Sequence, residues 1–92
     1  MDIEQAEIVA LKALTFLAAD TELMDRFAAL SGVAPNDVIA RAGDGEMLAG
    51  VMDFLLSDET VLTDFCAAYG IEPEHPARAR QNLPGGDLPH WT

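Results

Sequence analysis

Cations are scarce in this sequence. Lys and Arg number 5 against 16 Asp and Glu in 92 residues, a formal charge of −11. Phosphate repulsion would meet almost no basic surface, which argues against direct nucleic-acid binding and equally against an anionic membrane surface. One cysteine, Cys66, leaves no intramolecular disulfide for the fold to depend on. No uncharged apolar run approaches the ~18–20 residues that a membrane helix needs. The opening residues Met1-Asp2-Ile3-Glu4-Gln5 are acidic where a secretory signal would be basic. These absences predict a cytoplasmic protein with no membrane partner.

Chemistry-bearing motifs are equally scarce. His75 and His90 are the only histidines, and neither stands in a His-x₃-His or Cys-x₂-Cys spacing that would hold zinc. A calcium loop starting at Asp44 would lack its oxygen ligands and its closing glutamate. The chain carries no glycine-rich phosphate loop, no nucleophile elbow and no Ser–His–Asp set. Ser31 and Ser57 fall at helix boundaries, where capping explains them. No catalytic residue, metal ligand or cofactor is therefore expected.

What the sequence does have is apolar content, 50 % of its residues, and a pattern in it. The run Phe16-Leu17-Ala18-Ala19-Asp20, Phe27-Ala28-Ala29, Gly32-Val33-Ala34-Pro35 returns 38 residues later as Phe54-Leu55-Leu56-Ser57-Asp58, Phe65-Cys66-Ala67, Gly70-Ile71-Glu72-Pro73, with no gap. A repeat of that length is one supersecondary unit that stacks on its neighbour because it cannot bury its apolar face alone. The spacing predicts helices over 2–18, from a cap at Asp20 or Thr21 to the stop at Gly32, and over 35–42 in one unit (7–42), and over 45–56, 58–69 and a weaker stretch to 80 in the other (45–80). Gly32 and Gly70 supply left-handed stops, and Pro35 and Pro73 open the helices that follow. Pro76 must lie inside the first turn of the sixth helix or delay its start. Gly43-Asp44-Gly45 separates the units, and residues 83–92 read as an irregular tail. Most of the acids, among them Asp2, Asp20, Asp44 and Asp58, fall at helix starts, where carboxylates satisfy free N–H groups and the helix dipole.

The expected fold is all-α: a compact bundle of five or six short helices built as two similar three-helix units, occupying residues 1–82. The first and fourth helices are apolar on nearly all sides, which places them at the centre or under a second chain. The second helix is expected to turn Leu23, Met24, Phe27, Ala28 and Leu30 inward.

Four residues stand out as candidates. Asp53 interrupts the apolar fourth helix; a buried carboxylate there would flag function, whereas a carboxylate on a wetted strip, or paired with Arg26 or Arg41, would not. Trp91, the only tryptophan, either folds back over the domain's own core or anchors in a partner's pocket. Arg78 and Arg80 stand near it, a cationic segment apart from the acidic body. Cys66 reads as a packed thiol, since nothing nearby in sequence would lower its pKa.

The residues Asp20-Thr21-Glu22-Leu23-Met24-Asp25-Arg26-Phe27, then Leu30-Ser31-Gly32-Val33-Ala34-Pro35, then Ala40-Arg41-Ala42-Gly43-Asp44 and Asp53-Phe54-Leu55-Leu56-Ser57-Asp58-Glu59 resemble a family of short acidic bacterial proteins known only as a domain of unknown function. The resemblance spans roughly Glu7 to Pro84 and rests on the order of caps and core residues. It implies a free-standing bacterial cytoplasmic protein and brings no catalytic or ligand residue. The leading expectation is a non-enzymatic adaptor or regulator that binds another protein, with a homodimer through helices one and four as one form. Two alternatives follow: an acidic nucleic-acid mimic that occupies a basic protein, and a small enzyme pairing Asp53 with a histidine.

Overall fold

Asparagine-like caps set most of the helix starts, and in this chain the capping residue is aspartate. The computed structural model describes residues 1–84. Its helices are α1 (Ile3–Ala18), α2 (Thr21–Ser31), α3 (Pro35–Ala40), α4 (Gly45–Ser57), α5 (Glu59–Tyr69) and α6 (Glu74–Gln81). Asp2, Asp20, Asp44 and Asp58 each accept a backbone N–H from the first turn of the helix they open, and Gln5 completes a capping box at Asp2. The remaining two helices open with proline. Pro35 is the first residue of α3, and Pro76 sits third in α6, within the turn whose N–H groups have no intrahelical partner. Gly32 (φ 75°) and Gly70 (φ 63°) end α2 and α5 in the left-handed region that other residues avoid.

The architecture is all-α among the described residues, as the sequence predicts. Its centre holds the first and fourth helices, as expected, but not alone. α1 and α4 pack together, and α6 lies against both, so the element with the weakest sequence signal belongs to the central layer. Small residues are buried on both α1 (Ala6, Ala10 and Ala13) and α6 (Pro76 and Ala79), and small residues let helix axes approach closely. α2 and α5 flank this layer, each touching both α1 and α4. α3 packs chiefly on α2, burying Val38.

α4 is buried on almost every side. Leu48, Val51, Met52 and Leu55 are at most 1 % exposed, and the helix reaches solvent chiefly along Glu46, Gly50, Asp53 and Ser57, with Leu56 partly exposed. None of the exposed large apolar side chains belongs to α4. α1 is different: Ile3, Ile8 and Leu11 are 57, 50 and 41 % exposed, so any self-association through these two helices would rest on α1. Leu83, placed in the tail by sequence, is buried at 4 % and closes the core beneath α6.

Aromatic side chains tie the flanking helices to the centre. Phe16 of α1 meets Phe65 of α5 edge to face, centroids 5.6 Å apart at 68°. Phe54 of α4 meets Phe27 of α2 at 5.6 Å and 69°. Each pair adds roughly 0.5–1.5 kcal/mol beyond the area it buries.

Candidate functional site

The second of these aromatic pairs floors a groove. α2 and α4 diverge above Phe27 and Phe54, and the space between them, about 480 Å³, is walled by Leu30, Val33, Met47 and Gly50. The local sequence explains the opening. Met47, Gly50 and Phe54 lie three and four residues apart and so share one face of α4. At the middle of that face stands a residue with no side chain: a Cβ at Gly50 would lie 3.9 Å from Phe27 Cζ, in ordinary contact, and nothing else fills the place. On α2 the corresponding edge carries Ser31, and on α4 Ser57, both small.

Leu30 was expected inward and is instead 76 % exposed. Met24, Phe27 and Ala28 use the helix period to face the core, and Leu30 is rotated off that stripe onto the groove's edge. It is the most exposed large apolar side chain among the described residues. Arg26 holds the floor: it reaches over the Phe54 ring, its guanidinium carbon 5.5 Å from the centroid, and Nη2 donates to Asp58 Oδ2 at 2.9 Å. Asp58 thus caps α5 with one oxygen and pairs with α2 through the other. The Arg26 hydrogen bond first, and the Val61 N–H second, hold its carboxyl below the usual carboxylate range.

The rim of the groove is charged. Asp44, Glu46 and Asp53 line it from α4, with Arg41 as the one cation. Asp53 is neither buried nor paired with Arg26 or Arg41. Its side chain is 60 % exposed and grips Arg80, which donates from Nε at 2.6 Å and Nη2 at 3.3 Å. Arg80 Nη1 also donates to the carbonyl of Pro84 at 3.0 Å. One guanidinium therefore fastens both α4 and the last described residue, at a second hollow that shares Glu46, Gly50 and Asp53 with the groove.

The structure brings together two of the four sequence candidates, Asp53 and Arg80. Arg78 stays exposed on the last turn of α6, where a cation complements the helix dipole. Trp91 and His90 lie outside the described residues. His75 is half-buried at the start of α6. No cluster of three or more metal-ligating side chains occurs among the described residues, and none of their helices is long and apolar enough to cross a membrane. Cys66 is free and buried, its thiol pushed up in pKa by burial first and by the charge of Glu74 second, which makes it a poor nucleophile.

Sequence reasoning placed Phe27 and Phe54 in the core and did not see the groove above them. The signal available was Gly50, a helix-interior glycine among large apolar residues, which costs stability and needs a packing reason.

The geometry can hold an apolar side chain with charge around it; among the described residues it brings no nucleophile, base and electrophile to one point. The chain belongs to a family described as protein of unknown function (DUF3572), whose model matches residues 3–86. No curated protein and no solved structure matches it.

Proposed function

We propose that this member of a family of unknown function is a non-enzymatic protein–protein interaction module, and that the α2–α4 groove is where its partner docks. The observation that carries the reading is Leu30, 76 % exposed beside a preformed apolar floor. Isolated exposed leucines need no explanation, but one that continues a concave apolar surface marks a recognition site. The partner chemistry follows from the rim. Carboxylates at Asp44 and Glu46, on a chain of charge −11, favour an apolar anchor flanked by Lys or Arg. A free cysteine suits the reducing cytoplasm of a bacterial cell.

The test is affinity capture of the tagged full chain from lysate of its native cells at low and high salt, run beside Leu30→Asp. A stoichiometric partner that survives high salt and is lost with Leu30→Asp is the expected result. A partner lost at high salt but indifferent to Leu30 would point to the acidic-mimic reading, in which long-range charge and not the groove supplies the affinity. No stoichiometric partner at either salt would refute both.

A further inference from the structure

The two aromatic pairs differ in what stands beside them. Phe16 and Phe65 are joined by a third ring: Tyr69, the last residue of α5 before Gly70, lies 6.5 Å from Phe16 and 5.1 Å from Phe65 between centroids. Phe27 and Phe54 hold the same mutual geometry, but the last residue of α2 before Gly32 is Ser31. Where Tyr69 closes one cluster, a serine leaves the other open as the groove. The space beside Phe27 and Phe54 is thus suited to one more aromatic side chain.

The chain has an aromatic residue positioned to reach it. Arg80 binds the Pro84 carbonyl and Asp53 together, so the backbone at residue 84 is held beside α4, close enough to Gly45 that a Cβ there would lie 3.0 Å from Pro84 Cγ. Residues 85–92 continue from that point as Gly-Gly-Asp-Leu-Pro-His-Trp-Thr. Extended chain covers at most ~3.6 Å per residue, so Trp91 can travel about 25 Å from Pro84. Along α4 at ~1.5 Å per residue, Phe54 is about 14 Å from Gly45. The two glycines allow the chain to turn back along the helix.

We propose that the C-terminal segment 85–92 docks into the α2–α4 groove of its own chain, with the Trp91 indole against Phe27 and Phe54, and that a partner must displace it. Ordering the backbone of the segment opposes the gain from burying its indole and Leu88, so docking is weak and the segment acts as a reversible competitor. The inference rests on the reading of the groove as a recognition surface and deepens it by supplying regulation of that site.

Trp91 is the sole tryptophan, so the full chain carries its own probe. Expected are an emission maximum to the blue of free indole in water and acrylamide quenching several-fold weaker than for a tryptophan amide. Both should revert with Leu30→Asp and stay unchanged with Ile8→Asp, a half-exposed residue on α1 outside the groove. Circular dichroism confirms that both variants fold. Emission and quenching equal to free indole would overturn the proposal. So would a blue shift that ignores Leu30→Asp, which puts Trp91 elsewhere, or one lost on dilution, which assigns the groove to the tail of a second copy. The two readings fail separately: a solvent-exposed Trp91 with a Leu30-dependent partner removes the tail alone, and a docked Trp91 with no partner removes the module alone.

Discussion

Gly50→Ala should raise stability. Gly50 lies within the helix α4, and replacing an interior helical glycine with alanine is worth about 1 kcal/mol, chiefly through the freedom that glycine loses on folding. The added methyl meets only Phe27 Cζ, at 3.9 Å, so no strain offsets that gain. For a domain of this size 1 kcal/mol corresponds to roughly 4–8 °C in Tm. Thermal unfolding followed by circular dichroism reads the shift directly. An unchanged or lower Tm would refute the reasoning, because it would mean that the Cβ position is filled or that the backbone there needs glycine. Gly50→Leu extends the test: its longer side chain would lie across the groove, keep the fold and abolish Leu30-dependent capture of a partner. A glycine whose replacement stabilises the protein and removes binding is retained for the groove and not for the helix.

Phe65→Ala and Leu30→Asp bracket the range from full burial to exposure. Phe65 is fully buried, and its truncation should cost ~3–5 kcal/mol in chemical denaturation, whereas the exposed Leu30 variant should stay within about 0.5 kcal/mol of the parent; equal effects would contradict the burial described. Asp58 supplies a pH dependence. Its folded-state pKa is lowered, chiefly by Arg26, so the unfolded state binds more protons in the carboxylate range, and the stabilisation is complete above the ordinary aspartate value and lost as pH falls through the folded value. Arg26→Met should flatten the fall in Tm across that acid window, and a parallel curve would show that Arg26 is not the cause.

How much of this fold the sequence discloses depends on which physical signal each element carries. Caps are local, so Asp2, Asp20, Asp44 and Asp58 announce their helices, and Gly32 and Gly70 their ends, without reference to anything distant. α6 shows where local signals stop. Pro76 weakens its start and Arg78 and Arg80 make it polar, yet it sits in the central layer against α1 and α4, helices far back in the chain, where small residues of α1 and α6 are buried. That complementarity is a property of two helices and is invisible in either one. Leu30 misleads for the related reason that periodicity finds the edge of an apolar stripe only to within a residue; whether a neighbour covers that edge is a tertiary fact.

The candidate site is harder to read still, because it is made of small residues. Ser31, Gly50 and Ser57 each have an adequate local explanation as turn, helix or cap residues, and only their convergence around Phe27 and Phe54 turns three ordinary positions into a groove. Charge draws attention to Asp53, but its partner is Arg80, 27 residues away, and the same Arg80 fastens the chain at Pro84. Asp53 is 60 % exposed, and an ion pair with so exposed a carboxylate contributes about 1 kcal/mol to folding. The same guanidinium also fixes the point from which the C-terminal segment departs. Asp53→Ala should therefore lower Tm by only a few degrees while making Trp91 more accessible to acrylamide, since the segment would lose its fixed origin without losing its groove. If Asp53→Ala lowers Tm by many degrees and leaves quenching untouched, the pair serves the fold and the link between clamp and segment is wrong.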